Sequence, residues 1–486
     1  MEKKDLKPIG VFKYFEEICQ IPRPSKREEK MTAYLKAFGE KHNLETKVDQ
    51  IGNVLIKKNA TPGKEHLKTV ILQSHTDMVC EKNNDVQHDF LTDPIETIIE
   101  GDWMKANGTT LGADNGIGVA TELAILADDS IEHGPIECLF TVDEETGLSG
   151  AFALEKGFME GDILLNLDSE DEGELFIGCA GGIDSVGEFT YKEVEVPEGY
   201  FFFKVQVKGL KGGHSGGDIH LGRGNANKIL NRFLSRTNAK HYMYLCEING
   251  GNLRNAIPRE AYAICAVPED AKHDLRADLN IFASEVENEL SVTEPDLKII
   301  LESEEPRATA IDQETSRRLI KAVYGAPHGV YAMSQDIPGL VETSTNLASI
   351  KMKPNHIIRI ETSQRSSILS ARNDMANTVR AVFQLAGAKV TSGDGYPGWK
   401  PNPHSEILQV ACESYKRLFN VDPKVKAIHA GLECGLFLDK YPALDMVSFG
   451  PTLTGVHSPD ERMHIPSVEK FWDHLVDVLA HIPAKG

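Results

Sequence analysis

Histidine and carboxylate side chains recur at the ends of short apolar, strand-like runs in this sequence. His75 and Asp77 follow the run VILQS, and Glu144 and Glu145 follow IECLFTV after one further residue. Imidazole nitrogens and carboxylate oxygens are ligands for zinc and for other divalent transition metals. Carboxylates beside a metal can also take up and release protons. The residue types therefore indicate metal binding combined with acid–base chemistry.

The spacing of His75 and Asp77 indicates related roles for the two residues. On an extended backbone, side chains two residues apart point to the same face of the strand. Asp77 can then accept a hydrogen bond from the imidazole of His75, which fixes the ring tautomer and raises its basicity as a ligand. We expect His75 to bind a metal ion and Asp77 to orient it.

Further motifs carry the other candidate ligands. Asp114 lies between glycines in TLGADNGIG, in a loop that opens a predicted helix, and a carboxylate there could bridge two dications about 3.5–4 Å apart. Asp168 ends the apolar run DILLNLD, and His457 lies far along the chain in GPTLTGVHSPDE. Of the adjacent Glu144 and Glu145, one can bind metal while the other faces a substrate. Each motif alone is also typical of a solvated loop, so the prediction depends on their joint occurrence.

Helices and strands must alternate to place these side chains at one edge of a sheet. GVATELAILADD (118–129) has the periodicity of an amphipathic helix, whereas IECLFTV (136–142) and DILLNLD (162–168) are typical of buried strands. This alternation predicts an α/β domain with a largely parallel central sheet and flanking helices. Sheets of this kind bind ligands beyond the carboxyl ends of their strands, where the candidate residues occur.

The middle of the chain has a different character. From about residue 187, runs rich in aromatic and β-branched residues, such as FFFKVQVKGL, are followed by a glycine-rich turn and a helical segment, and the earlier pattern returns after Gly387. We therefore predict a discontinuous catalytic domain, residues 1–186 and 389–486, with an inserted α+β domain, residues 187–388.

Composition and charge argue against several classes of protein. There are 52 Lys and Arg against 73 Asp and Glu, and the net charge of −21 disfavours nucleic acid and anionic membranes as partners. No apolar run is long enough for a transmembrane helix, and the charged start lacks the apolar core of a signal peptide, so we expect a cytoplasmic protein. The eight cysteines are scattered without a CxxC pair, which argues against a disulfide framework or a thiolate metal site.

In combination, the motifs resemble those of a known family. SHTDMV, GADNGIG, VDEETG, NLDSE and GVHSPDE occur in the order typical of M20-type metallopeptidases. GGHSGGDI, LRNAIPR and HAGLECG are similar to its aminoacyl-histidine dipeptidase branch, also called carnosinase-like or peptidase D. The resemblance extends over nearly the whole chain. It implies a cytosolic, homodimeric dipeptidase that hydrolyses unblocked Xaa-His dipeptides such as β-Ala-His, with the inserted domain as a lid and dimerisation domain.

The resemblance also implies roles for the metal-site residues. Two divalent ions would be bound, zinc by the family and cobalt or manganese as chemically admissible alternatives. One ion would be held by His75, Asp168 and Asp114, and the other by Glu145, His457 and the same Asp114. Glu144 would be the general base that accepts a proton from water and passes it to the leaving amine. A cis peptide bond is implied between Asp114 and Asn115.

Candidates for holding the substrate lie outside the metal motifs. They are His214 in KGGHSGG, Asn255 in LRNAIPR, Arg365 in SQRSS and Glu433 in GLECG. The resemblance implies that His214 donates a hydrogen bond to the tetrahedral oxyanion, commonly in a neighbouring subunit. Asn255 and Arg365 would hold the terminal carboxylate and the carbonyl of the substrate, since a guanidinium matches a carboxylate in a bidentate manner. Glu433 could receive the free amino group, although the residue type alone favours an ordinary loop carboxylate.

Two classes of alternative remain open from the sequence. The same metal pair and base would serve a tripeptide aminopeptidase, a carboxypeptidase or an N-acyl amino-acid deacylase. A non-catalytic scaffold could keep the fold without the reaction, but it would have no need of every ligand and of the base. All of these residues are present in this chain, which disfavours the scaffold.

Overall fold

The computed structural model describes residues 6–486, which form two compact units. The first unit holds the described residues up to Gly178 together with Pro401–Ala427 and Leu432–Gly486. The second unit holds Cys179–Lys400 and Ile428–Gly431. The second unit is therefore built mainly from the middle of the chain. The catalytic and lid roles that we assigned to these regions stay predictions.

The two units together contain 25 strands and 12 α-helices within residues 6–486. The strands, in chain order, are β1 (Glu45–Val48), β2 (Val54–Lys58), β3 (Val70–His75), β4 (Thr97–Glu100), β5 (Trp103–Ala106), β6 (Ile136–Thr141), β7 (Ile163–Asn166), β8 (Glu174–Cys179), β9 (Gly181–Thr190), β10 (Glu193–Glu195), β11 (Tyr200–Lys208), β12 (Gly213–His214), β13 (Tyr244–Gly250), β14 (Ala256–Ile257), β15 (Ala261–Pro268), β16 (Lys298–Ser303), β17 (Thr309–Ile311), β18 (Gly329–Met333), β19 (Val341–Lys353), β20 (Ile357–Ser366), β21 (Lys389–Ser392), β22 (Lys424–Ile428), β23 (Asp445–Ser448), β24 (Leu453–Thr454) and β25 (Arg462–His464). The helices are α1 (Ile9–Cys19), α2 (Glu29–Lys41), α3 (Ala113–Ala127), α4 (Glu144–Gly147), α5 (Ser149–Ala153), α6 (Ala226–Lys240), α7 (Lys272–Glu289), α8 (Gln313–Gly325), α9 (Leu369–Leu385), α10 (Glu406–Phe419), α11 (Cys434–Lys440) and α12 (Ile465–Ala480).

The first unit is built on an eight-stranded sheet in the order β1-β2-β6-β3-β7-β23-β8-β22. Its four central strands, β6, β3, β7 and β23, run parallel, whereas β2 and β8 pair with them antiparallel. Every residue of β3, β6 and β7 is buried, as is usual for parallel strands, which are covered on both faces. The predicted α/β sheet is therefore confirmed, with a parallel centre and antiparallel strands on either side.

The second unit contains an antiparallel sheet in the order β16-β11-β15-β13-β19-β20-β9-β21, with β18 paired to β19. Its core includes four buried phenylalanines from the sheet and the helices: Phe203, Phe233, Phe282 and Phe383. This arrangement of helices with an antiparallel sheet confirms the predicted α+β character. The unit extends beyond the predicted range 187–388 at both ends, because β9 begins before residue 187 and its partner β21 lies after residue 388.

Residues 6–486 contain no helix that combines the length and the apolar composition needed to cross a membrane. None of the eight cysteines, all of which lie within residues 6–486, forms a disulfide bond. Five of them are buried, and three are partly buried.

A buried histidine joins α12 to α10 in the first unit. His474 is 3% exposed, its Nε2 donates to the carbonyl of Ala411 (2.9 Å), and the rings of Tyr415 and Phe449 contact it. Burial lowers the pKa of His474 to about 4. The unfolded chain, with a histidine pKa near 6.5, therefore binds a proton at a higher pH than the folded chain does.

The free energy of unfolding should fall as the pH drops from about 6.5 towards 4, by up to about 1.4 kcal/mol per pH unit from His474 alone. His474→Gln lacks this titration. Its deficit relative to the wild type should therefore be largest at pH 7 and shrink at pH 5, in urea unfolding curves recorded at both values. A deficit that stays constant across this range would show that His474 titrates normally in the folded protein.

Candidate metal centre

The five candidate metal ligands come from separate segments of the first unit. His75 is the last residue of β3, Asp168 follows β7, and Glu145 lies in α4 just after β6. These three strands are parallel neighbours, so their carboxyl ends meet at one edge of the sheet. Asp114 lies in the first turn of α3, and His457 lies in the loop between β24 and β25. The fold thus gathers residues that are far apart in the sequence.

The side chains of these residues form two groups around one shared carboxylate. Nε2 of His75 lies 3.1 Å from Oδ1 of Asp114 and 3.3 Å from Oδ1 of Asp168. Nε2 of His457 lies 3.1 Å from Oδ2 of Asp114 and 3.0 Å from Oε2 of Glu145. Asp114 therefore presents a different oxygen to each imidazole.

The donor set fits two divalent ions. Two atoms that bind one tetrahedral zinc ion at about 2.0–2.1 Å lie about 3.3 Å apart, close to the N–O separations of 3.0–3.3 Å in each group. Imidazole and carboxylate ligands without thiolates suit zinc and also cobalt or manganese. Within residues 6–486, the buried Oε1 of Glu145 has no hydrogen-bond partner, so it has free lone pairs for an ion.

The clustered negative charge of the site favours bound cations. Hydrogen bonds with Asp114 and Glu145 raise the pKa of His457 to about 11, although partial burial opposes the shift. The pKa of Asp168 is raised to about 6, mainly by burial and also by the nearby charges of Asp114 and Glu145, against the opposing effect of His75. These raised pKa values mean that the site has more negative charge from its carboxylates than its histidines can neutralise. A divalent cation would supply that charge.

Asp77 holds His75 from behind, as the spacing of the two residues predicts. Its Oδ1 lies 3.3 Å from Nδ1 of His75, the ring nitrogen that faces away from Asp114 and Asp168. Asp77 is fully buried and also accepts hydrogen bonds from the hydroxyl of Ser25 (2.7 Å) and from the N–H of Glu144 (3.0 Å). Burial raises the pKa of Asp77, but these hydrogen bonds and the charge of His75 outweigh it and lower the pKa to about 2.

Glu144 differs from its neighbour Glu145. In the described part of the chain, the Glu144 side chain makes neither a hydrogen bond nor an ion pair, and it is only partly covered from solvent. The desolvating surroundings raise its pKa well above the usual range, and the charges of Asp168 and Glu433 add to the shift while His75 opposes it. A carboxylate without a partner and with a raised pKa is suited to accept a proton.

Glu433 is not a loop carboxylate on the surface, which is the environment its residue type alone favours. It is fully buried at the start of α11 and accepts hydrogen bonds from Nε2 of Gln73 (2.7 Å) and from the hydroxyl of Thr141 (2.8 Å). Burial raises its pKa to about 8, and the charge of Asp168 adds to the shift while His75 opposes it. The structure therefore brings Glu433 to the strands that carry the candidate ligands.

The peptide bond between Asp114 and Asn115 is cis, as the family resemblance implies. Nδ2 of Asn115 donates to the carbonyl of Leu167 (2.8 Å) and to the carboxylate of Asp168. The segment that carries the shared carboxylate is thus hydrogen-bonded to the loop that carries another candidate ligand.

The second unit brings together three of the candidate substrate residues. His214 in β12 pairs with Ala256 in β14, and the N–H of Ser215 donates to the carbonyl of Asn255 (2.8 Å). The side chain of Arg365, on β20, is 8% exposed and passes beside Gly216. The three residues therefore belong to one polar region of this unit, although they are far apart in the sequence.

Hydrogen bonds determine the tautomer of His214. Its Nδ1 accepts from the N–H groups of Gly216 (3.3 Å) and Gly217 (3.0 Å), so the ring hydrogen is on Nε2. Burial, together with the charge of Arg365, lowers the pKa of His214 to about 4. His214 is therefore a neutral imidazole with an N–H available at Nε2.

Comparisons with known proteins identify the family of the chain. The sequence matches the pattern that defines peptidase family M20/M25/M40 over residues 71–481. The chain belongs to this family. The cytosol non-specific dipeptidase of Escherichia coli (strain K12) is 46% identical over 484 residues, which cover 100% of both chains.

Two solved structures share the fold of the chain. The aminoacylhistidine dipeptidase from Vibrio alginolyticus is 45% identical, with a TM-score of 0.93 over 100% of this chain and 99% of its own. The aminopeptidase PepT from Bacillus cereus ATCC 10987 is 16% identical, with a TM-score of 0.61 over 98% of this chain and 99% of its own. The M20 resemblance of the sequence motifs is therefore confirmed.

Arg23, which no sequence motif singles out, joins two segments of this M20 peptidase that carry candidate ligands. Arg23 is 2% exposed. Its Nη1 donates to the carbonyls of Thr76 and Asp77 (both 3.2 Å), and its Nη2 donates to the carbonyl of Gly112 (2.6 Å). Arg23 follows a proline in IPRPS and has no periodicity or motif that points to this role. Glu461 contacts the same region, and its role likewise has no signal in the sequence.

Two more residues that the sequence did not single out lie beside Arg365 in the second unit. The hydroxyl of Tyr396 accepts a hydrogen bond from Nη1 of Arg365 (3.0 Å). His429 is 6% exposed, and its Nε2 lies 2.7 Å from the hydroxyl of Ser344. Burial, together with the charge of Arg365, lowers the pKa of His429 to about 3. A neutral His429 avoids placing a second cation beside Arg365.

Proposed function

We propose that this protein is a dinuclear metal-dependent dipeptidase that hydrolyses unblocked dipeptides, including Xaa-His dipeptides such as β-Ala-His. The observation that carries the proposal is the pair of imidazoles, His75 and His457, that share the two oxygens of Asp114. Two relatives named as dipeptidases match the chain from end to end and support this substrate class. The name of the Escherichia coli relative also supports a cytosolic location.

Five residues are proposed to hold the ions: His75 and Asp168 for one, Glu145 and His457 for the other, and Asp114 for both. When bound, the ions supply Lewis acidity, which polarises the scissile carbonyl and makes water easier to deprotonate. Zinc is the proposed metal because of the family resemblance, and cobalt and manganese suit the same donors.

Glu144 is proposed as the general base. Its carboxylate has no hydrogen bond to break, and its raised pKa favours proton uptake near neutral pH. One carboxylate oxygen accepts a proton from the attacking water and then donates it to the nitrogen of the leaving amine. Asp77 supports this chemistry by holding Nδ1 of His75, which keeps Nε2 directed at the metal.

His214 is proposed to stabilise the tetrahedral oxyanion. Its Nδ1 is occupied by two backbone N–H groups, so Nε2–H is a fixed neutral donor at physiological pH. A preorganised donor directed at a developing negative charge lowers the barrier of acyl transfer. We propose that the protein is a homodimer in which His214 serves the metal centre of the neighbouring subunit or, after closure, its own.

The remaining candidates are proposed to hold the two ends of the substrate. Nε of Arg365 is buried and has no hydrogen-bond partner among the described residues, so this donor is available for a carboxylate. Asn255, on the exposed segment before β14, can add an amide donor. Oε1 of Glu433 likewise has no partner in the described chain, and a buried carboxylate of this kind suits a substrate ammonium group.

A panel of peptides tests the proposed specificity. We expect hydrolysis of β-Ala-His and of other unblocked dipeptides, and little hydrolysis of N-blocked dipeptides, tripeptides or N-acyl amino acids. Comparing kcat/KM for Xaa-His with that for the same Xaa followed by alanine measures how far histidine is preferred. Tripeptides cleaved ahead of dipeptides would indicate a tripeptide aminopeptidase, and cleavage of blocked substrates would indicate a carboxypeptidase or deacylase.

A further inference from the structure

Glu461 links two ligand-bearing segments of the first unit. The residue is 2% exposed. Its Oε2 accepts hydrogen bonds from the backbone N–H groups of Leu111 (2.7 Å) and Gly112 (2.9 Å), and its Oε1 accepts from those of Ala113 (2.8 Å) and Asp114 (3.3 Å). One buried carboxylate therefore binds four consecutive N–H groups, and the last of them belongs to the shared metal ligand.

The start of α3 depends on an acceptor from outside the helix. The first N–H groups of a helix have no partner within it, and Gly112, the residue before α3, has no side chain that could accept from them. The backbone there is also irregular, since Gly112 has φ 68° and Asp114 has ψ 110°. A negative charge at a helix N-terminus is favourable as well. Glu461 supplies both the acceptor atoms and the charge.

The other end of the link is the loop that carries His457. Glu461 follows His457 by four residues in the same connection between β24 and β25, and its N–H donates to the carbonyl of Ser458 (3.0 Å). Nε2 of His457 in turn lies 3.1 Å from Oδ2 of Asp114. The two segments thus meet twice, once through the candidate ligands and once through Glu461.

We propose that Glu461 is a positioning residue of the metal centre. By holding the backbone of residues 111–114 against the His457 loop, it sets the point at which Asp114 bridges the two ions. This inference rests on the dinuclear function proposed above. Groups that orient metal ligands typically contribute about 10–100-fold to metal affinity, so loss of this contact should weaken metal binding by a similar factor.

Two variants of Glu461 distinguish its role in positioning the backbone of residues 111–114 from the effect of its negative charge. Glu461→Gln keeps the size of the side chain but loses the charge and turns one accepting oxygen into a donating amide. Glu461→Asp keeps the charge and both oxygens but is one methylene shorter, so it cannot reach all four N–H groups. In chelator-competition titrations of metal-free protein with Co²⁺, both variants should raise the Kd by about 10–100-fold. Both should also alter the visible spectrum of bound Co²⁺.

Glu294→Gln is the matched control. Glu294 is also 2% exposed, and it accepts hydrogen bonds from the N–H groups of Lys211 and Gly224, both at 2.8 Å, within the second unit. None of its hydrogen-bond partners is a candidate metal ligand. The control should lose stability to thermal unfolding as the Glu461 variants do, and it should keep wild-type affinity for Co²⁺.

Wild-type Co²⁺ affinity in Glu461→Asp would overturn the proposal, because charge alone would then account for any effect of Glu461→Gln. An equal loss of affinity in Glu294→Gln would also overturn it, since the effect would be a general loosening of the protein. If Glu461→Gln does not fold, the Glu461→Asp variant decides the question. Wild-type protein that binds fewer than two Co²⁺ per chain would contradict the dinuclear function itself, so the two failures are distinguishable.

Discussion

Glu144→Ala protein is expected to lose about 10²–10⁴-fold in kcat, the contribution typical of a general base, while it still binds two metal ions per chain. The substitution removes the group that moves the proton and leaves the proposed ligands in place. The Glu144 carboxylate makes no hydrogen bond among the described residues, and alanine keeps the backbone N–H that donates to Asp77, so little stability should be lost with the side chain. The measurement combines steady-state kinetics on a dipeptide with metal analysis of the same sample.

Glu145→Ala is the matched control for this experiment. It removes the same side chain from the next residue, but Oε2 of Glu145 lies 3.0 Å from Nε2 of His457, so this variant should lose metal affinity together with activity. Asp114→Ala should weaken the binding of both ions, because its carboxylate is shared. If Glu144→Ala bound only one ion and Glu145→Ala bound two, the two roles would have to be exchanged.

His214→Ala is expected to lower kcat by about 10²–10³-fold with unchanged metal content, as is typical when one oxyanion donor is removed. The reason is that the fixed Nε2–H of this neutral imidazole has no replacement in the variant. His220→Ala, which removes an exposed histidine from the same loop, is the control and should retain wild-type kcat. An unchanged kcat in His214→Ala would remove His214 from the mechanism.

Mixing Glu144→Ala with His214→Ala protein tests whether His214 acts between subunits. If each metal centre uses the partner's His214, a mixed dimer contains one centre in which both groups are intact, so activity should reappear on mixing. Mixing two samples of the same variant is the control and should restore nothing. No recovery in dimers shown to be mixed would mean that His214 acts within its own chain.

The candidate metal ligands could be predicted from the sequence because their motifs occur together and in the order typical of a known family. His75 and Asp168 end or follow buried apolar runs, and parallel strands bring such ends to one edge of a sheet. Arg23 and Glu461 have no comparable signal. They contact backbone groups of segments far away in the sequence, and no residue pattern encodes which N–H or carbonyl a distant side chain will meet.

In the fold, the sequence predicts the buried strands of the first sheet but not the direction of each strand. The parallel centre of the first sheet followed from the alternation of helices with apolar strands, but the antiparallel pairing of β2 and β8 did not, because buried strands of either direction look alike in sequence. Glu433 is a further example. Its residue type favours a surface loop, and it is buried because Gln73 and Thr141 on two neighbouring strands donate hydrogen bonds to it.

Metal analysis combined with dipeptide hydrolysis tests the central claim most directly. The protein should be purified without a metal-affinity tag, freed of metal with a chelator and titrated with Zn²⁺ while hydrolysis of β-Ala-His is followed. We predict two ions per chain and full activity only when the second ion has bound. Full activity with one ion per chain, or hydrolysis that persists after complete removal of metal, would contradict the account.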